Sequence, residues 1–254
     1  MKIPVKVIAI NLLFLLVTIL LFDVKAKSQT AAPKTYEDYT NLGMEQMNNK
    51  NFEAAIQSFT ECIRLTRVYS ESCYAYRGLI YQNQRKMDLA IADFNSLVKL
   101  APKTAPYYTL RGYAYAENND LDLALADFNK SIELEPERVE NYLYRGTIYV
   151  GKKNFDLALA DYNKGIELNP KSTDLYSARG VTYHSKGNED LAIADFNKAI
   201  EIEVNNAEHY YYRGQCYKAK GNRVQAIADF KKALQINPNY EDAKKELQGL
   251  GVQL

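Results

Sequence analysis

The chain has 254 residues, 47% of them hydrophobic and 25% charged, with 32 Lys+Arg against 31 Asp+Glu. That composition is ordinary for a folded domain and excludes a chain that is disordered over most of its length. The charges nearly cancel and the basic residues are scattered, so there is no electrostatic footprint for a phosphate backbone, and nucleic acid is not an expected partner.

At the N-terminus Lys2 and Lys6 precede an uncharged apolar run from Val7 to Phe22, followed by the polar stretch Asp23 to Thr35. This is the layout of a secretory signal peptide. Small residues suit cleavage before Lys27, after Val24 and Ala26, or before Gln29, after Ala26 and Ser28; the second is taken, giving a signal peptide over residues 1–28 and a linker over 29–35. The rival reading is an uncleaved membrane anchor, but 16 apolar residues make a helix of roughly 24 Å against a hydrocarbon core of about 30 Å. The expected location is therefore outside the cytoplasm: periplasmic, envelope-associated or secreted. Contact with a membrane is expected only if the segment is retained. Loss of Lys2, Lys6, Lys25, Lys27 and Asp23 leaves 28 Lys+Arg against 30 Asp+Glu.

From Tyr36 onward the chain repeats itself. Gly43, Gly78, Gly112, Gly146, Gly180 and Gly214 are spaced by 35, 34, 34, 34 and 34 residues. Aligned from Tyr36, Glu71, Ala105, Val139, Thr173 and Ala207, the six units span residues 36–70, 71–104, 105–138, 139–172, 173–206 and 207–240. Tyrosine stands at position 4 of every unit and at position 11 of the last five. Position 20 is always alanine, and position 24 is Phe59, Phe94, Phe128, Tyr162, Phe196 or Phe230. Pro102, Pro136, Pro170 and Pro238 occupy position 32. Positions 4, 8 and 11 share one face of a first helix, and 20 and 24 lie one turn apart on a second. Glycine and alanine allow close approach where the aromatics fill the space beside them. Asn51, Asn154, Asn188 and Asn222, just before the second helices, are expected N-caps.

These residues and spacings resemble the tetratricopeptide (TPR) repeat, in which an aromatic, a glycine, a tyrosine, an alanine, an aromatic and a proline recur within 34 residues. The resemblance covers Tyr36 to Tyr240. It implies an all-α protein, a right-handed α-solenoid of six helix-turn-helix units. The polar stretch Glu241 to Gln248, with Leu247 as its inward contact, resembles the capping helix that closes such arrays, so residues 241–254 are read as cap and tail.

Arg77, Arg111, Arg145, Arg179 and Arg213 at position 7 accompany Asp93, Asp127, Asp161, Asp195 and Asp229 at position 23, and unit 1 lacks both, having Leu42 and Ser58. Joint presence and joint absence predict an Arg–Asp contact between the two helices of a unit, as a partly exposed pair contributing roughly 0.2–1 kcal/mol. Cys62 and Cys73 should fall on neighbouring helices. Either they form a disulfide, which an oxidising compartment allows, or both are small buried side chains, as Cys216 is expected to be. His184 and His209 stand most of a repeat apart, with no HExxH pair, no cysteine spaced for zinc and no phosphate-cradling glycine loop. No catalytic residue, metal site or cofactor is expected, and the chain is read as a non-enzyme.

The resemblance implies a concave groove lined by the first helices. Its expected partner-binding residues are Tyr76, Leu79, Thr109 and Tyr113 in units 2 and 3; Leu143, Tyr144 and Thr147 in unit 4; Val181 and His184 in unit 5; and Tyr211, Gln215 and Lys218 in unit 6. The surface is aromatic and hydroxyl-rich. It suits a non-catalytic scaffold that grips a peptide or helix of another exported or envelope protein, with Tyr76, Tyr113, Tyr144 and Tyr211 as anchors of the kind that dominate interfaces. The alternative is a glycan or cell-wall binder in the same groove, and the array can also associate with itself.

Overall fold

In a computed structural model of the chain, residues 35–66 and 70–253 are described. The apolar segment Val7–Phe22 lies outside them. The described residues hold thirteen α-helices and no strand, and no described helix is long and apolar enough to cross a membrane. They divide into two compact units between Pro136 and Glu137.

The first unit holds three helix pairs: α1 (Tyr36–Asn48) with α2 (Phe52–Leu65), α3 (Glu71–Asn83) with α4 (Met87–Leu100), and α5 (Ala105–Glu117) with α6 (Leu121–Leu134). The second holds α7 (Val139–Gly151) with α8 (Phe155–Leu168), α9 (Thr173–Ser185) with α10 (Glu189–Ile202), and α11 (Ala207–Ala219) with α12 (Arg223–Ile236), closed by α13 (Glu241–Gly249). Within each unit the second helix of one pair packs on the first helix of the next. Ala243 and Leu247 of α13 are fully buried, and Leu247 packs on Ala226 and Phe230 of α12.

The position-24 aromatics explain the glycine series. A Cβ built on Gly146 would lie 2.5 Å from the Tyr162 ring, and one on Gly78 would lie 2.6 Å from Phe94. The ring occupies the space that any side chain would need, so the first helix can lie directly over it. Burying such a ring contributes about 2 kcal/mol over leaving it exposed. Between pairs, Tyr76 stacks on Phe59 with centroids 5.5 Å apart, and Tyr212 stacks on Phe196 at 5.8 Å. Position 6 therefore joins consecutive repeats.

The turn inside each pair is set by backbone geometry. Position 15 takes a left-handed φ in all six repeats: Lys50 59°, Arg85 61°, Asn119 68°, Lys153 60°, Gly187 76° and Gly221 76°. The next amide then donates to the carbonyl at position 11, as from Asn154 to Tyr149 and from Asn222 to Tyr217, each at 2.8 Å, while position 15 donates to position 12. This is the Schellman closure of a helix C-terminus. The expected asparagine caps are largely not made. Asn51 accepts from the Ala54 amide at 3.4 Å, but Asn154, Asn188 and Asn222 make no side-chain cap bond. Their ψ values of 63°, 67° and 70° differ from the extended backbone of Thr35, ψ 166°, which does form a capping box with Asp38.

The Arg–Asp pairs are made in all five units that carry them. Each arginine donates Nε to Oδ2 and Nη2 to Oδ1 of its aspartate, at 2.6 to 2.9 Å. Each guanidinium also lies over the position-4 tyrosine, 5.5 to 5.8 Å from the ring centroid. Contrary to the expectation of a partly exposed contact, the aspartates are buried, because the close helix crossing encloses them. The third nitrogen, Nη1, reaches back one repeat: Arg111 to Asn95, Arg179 to Asn163, Arg213 to Asn197 and Arg77 to Thr60. In unit 1, Ser58 instead donates to Gln46 Oε1 at 2.7 Å.

Cys62 and Cys73 are bonded as a disulfide that ties α2 to α3, and Cys216 is free and buried. The bridge stands where one later junction makes an apolar contact. Gly165 and Leu175 hold the equivalent positions 27 and 3, and the leucine fills the space in front of the glycine.

Candidate functional site

The expected partner-binding residues differ in what surrounds them. Tyr76, Tyr113 and Tyr144 are 6%, 5% and 7% exposed, so these three expected anchors present little surface. For Tyr76 the reason is its stacking on Phe59. Burial pushes the Tyr113 hydroxyl up to about 12. Leu79 is buried in the cluster of Phe94, Leu97 and Leu110. The buried Thr109 hydroxyl shares a 2.9 Å hydrogen bond with Ser131 and donates to the Ala105 carbonyl. Tyr76, Leu79, Thr109 and Tyr113 are thus part of the packing of the first unit.

At the end of the second unit the capping helix takes up much of the expected surface. Gln215 donates to Tyr211 Oη at 2.8 Å and to Glu246 Oε1 at 3.1 Å, and Lys218 pairs with Glu246 Oε2 at 2.6 Å. Tyr211 packs at 5.0 Å from Tyr240 and 5.8 Å from Phe230. The repeat pattern identifies residues 241–254 as a cap but not that Glu246 reaches Gln215 and Lys218, because side-chain reach across about 30 residues has no signature in it.

Leu143, Thr147 and Val181 remain as a surface, which runs on to Tyr211 and Gln215 where α13 meets it. On α7, α9 and α11, positions 5 and 9 are Leu143 and Thr147, Ser177 and Val181, Tyr211 and Gln215, and all six are half-buried. α9 touches both α7 and α11, so these residues form a strip across three neighbouring first helices. Leu143, Thr147, Val181, Tyr211 and Gln215 are among the expected residues, and Ser177 completes the row. The strip is apolar and hydroxyl-bearing, and it carries no charged side chain.

His184 does not face this strip as a free imidazole. Its Nδ1 shares a 2.7 Å hydrogen bond with Glu189 Oε2, and the Sγ of Cys216 completes a group whose ligand atoms all lie within 4.8 Å of one another. Burial, with the Glu189 carboxylate beside it, pushes the Cys216 thiol well above the usual thiol range. Neither Glu189 nor Cys216 was singled out from spacing. The available signal was comparison of positions 12, 17 and 10 across repeats.

Tetratricopeptide repeat models match residues 39–69, 72–104, 105–138 and 207–240, and a TPR repeat model matches 146–187 and 182–221. These matches span most of the chain, which belongs to the tetratricopeptide repeat family. Among solved structures it is similar to PilW, a widely conserved type IV pilus biogenesis factor, with TM-score 0.74, 22% identity, and coverage of 85% of this chain and 100% of that one. It is also similar to a tetratricopeptide repeat protein from Parabacteroides merdae, with TM-score 0.65, 26% identity, and coverage of 87% and 86%. A third, YrrB, is a TPR protein with an unusual peptide-binding site, with TM-score 0.60, 23% identity, and coverage of 75% and 97%. No curated protein matches the chain. The fold is that of a repeat scaffold of a family used for protein–protein interaction.

Proposed function

We propose that the protein is a non-catalytic scaffold that binds an extended peptide or a helix of another exported protein along the first helices of its second unit. The observation that carries this reading is the half-buried strip Leu143, Thr147, Ser177, Val181, Tyr211 and Gln215. Half-buried apolar and hydroxyl groups on a rigid surface lose little conformational entropy on contact and bury apolar area against a partner. YrrB, which shares the fold, carries a peptide-binding site. The apolar N-terminal segment and the Cys62–Cys73 disulfide both favour an oxidising compartment, and hence a partner found outside the cytoplasm.

The test is affinity capture from envelope and extracellular fractions, followed by chemical cross-linking. The bait is the chain from Gln29 onward, beside a Thr147→Asp, Val181→Asp variant. The expected result is a protein held by the wild type, cross-linked to α7, α9 or α11 and lost from the variant. Equal retention by both would overturn the assignment of this surface.

A further inference from the structure

His184, Glu189 and Cys216 come from three consecutive helices of the second unit. His184 stands near the end of α9, Glu189 is the first residue of α10, and Cys216 lies in the middle of α11. They occupy positions 12 and 17 of repeat 5 and position 10 of repeat 6. At the first junction of the array the same three positions are Met47, Phe52 and Ile80, which pack in one apolar cluster. Position 17 is apolar in every earlier repeat, as Phe52, Met87, Leu121 and Phe155. Repeat 5 alone places a carboxylate there, and it does so where the neighbouring positions supply an imidazole and a thiol. One departure from an apolar series, at position 17, meets an imidazole and a thiol from two variable positions, and the ligand atoms of all three lie within 4.8 Å of one another.

We propose that His184, Glu189 and Cys216 bind a divalent metal ion of the zinc class, through imidazole Nδ1, a carboxylate oxygen and the thiolate. The mixed N, O and S donor set matches the preference of zinc among biological divalent ions. Tetrahedral coordination places such donors about 3.3–3.6 Å apart. To admit the ion the 2.7 Å His184–Glu189 hydrogen bond opens by less than an ångström as the imidazole shifts its proton from Nδ1 to Nε2 through solvent, Sγ closes in from within 4.8 Å, and the thiol proton leaves to solvent as Cys216 becomes a ligand. Cys216 is 0% exposed, whereas the side chains of His184 and Glu189 are 22% and 15% exposed. The ion therefore enters from the His–Glu side and keeps a water there as fourth ligand. Its effect is to fasten repeat 5 to repeat 6 at a junction where the apolar contact seen at the first junction is missing.

Cys216 is the chain's one thiol outside the disulfide, so a thiolate signal reports on it alone. The probe is Co²⁺ added to the full chain without reductant. The expected result is a thiolate-to-cobalt charge-transfer band that saturates at one equivalent and is displaced by Zn²⁺. The band should be absent from Cys216→Ser and need at least about tenfold more Co²⁺ in His184→Gln, whose partly exposed site tolerates the change without loss of core packing. Zn²⁺ should also raise the melting temperature of the wild type and not of Cys216→Ser. Absence of the band at excess Co²⁺ would overturn the proposal. So would a band unchanged in both His184→Gln and Glu189→Gln, or an equal Zn²⁺-induced shift in wild type and Cys216→Ser.

Discussion

Arg111 closes on Asp127 through two parallel hydrogen bonds of 2.7 Å, Nε to Oδ2 and Nη2 to Oδ1, and the aspartate is 5% exposed. The bond to Asp127 holds the Arg111 guanidinium above its ordinary range, so the arginine stays charged wherever the fold survives. Its remaining Nη1 donates to Asn95 of the preceding repeat at 2.9 Å. One side chain thus joins the two helices of its own repeat and the repeat before it.

Removing one partner leaves the other buried and unpaired, which costs about 3 kcal/mol. Asp127→Ala should therefore lower the denaturant midpoint strongly. The double change Arg111→Met, Asp127→Leu removes both charges and should recover much of that loss. The comparison is made by urea unfolding followed by circular dichroism. Equal midpoints for the single and double variants would show that the buried charge is not the source of the cost.

The left-handed residue at position 15 offers an opposite test. A non-glycine residue there carries a steric penalty of roughly 1 kcal/mol that glycine does not. Lys153 has φ 60° and is exposed. Lys153→Gly should raise stability by up to about 1 kcal/mol, and Gly221→Ala, at φ 76°, should lower it by about the same amount. Thermal unfolding of the two variants beside the wild type measures both signs at once.

His209 introduces a pH dependence. Burial lowers its basicity below the ordinary value, opposed by Glu203 and Asp174. The unfolded chain therefore binds a proton near pH 6.5 that the folded chain takes up only at lower pH. Its contribution is fully present above about pH 6.5 and is lost as pH falls toward the folded value. Nearby Asp174 and Glu208 are pushed up by burial, so they act in the opposite direction, in the carboxylate range. The urea midpoint should fall on going from about pH 7.5 to about pH 6, and fall less in His209→Gln. An equal fall in the two proteins would assign the pH dependence to other groups.

Much of the architecture was legible before any coordinates because it is written six times. The glycine at position 8 and the aromatic at position 24 recur together, and the Cβ positions on Gly78 and Gly146 show that each leaves room for the other. The Arg–Asp pairs were legible for the same reason, through units that keep both residues and one that lacks both. The left-handed turn was not, since Lys50, Arg85, Asn119 and Gly187 share a backbone angle and no side-chain chemistry.

The sequence alone determined the repeat period, the helix pairing and the residues at the intra-repeat crossing, because helical periodicity fixes which side chains share a face and the copies confirm one another. Only the tertiary structure decided which of those faces stay open. Tyr76 and Tyr211 read alike as groove tyrosines, yet one is covered by stacking on Phe59 and the other stays half-buried against Tyr240 and Phe230. The meeting of His184, Glu189 and Cys216 was likewise decided by packing. Their separations in the chain match no ligand motif, and their proximity arises from the stacking of one repeat on the next.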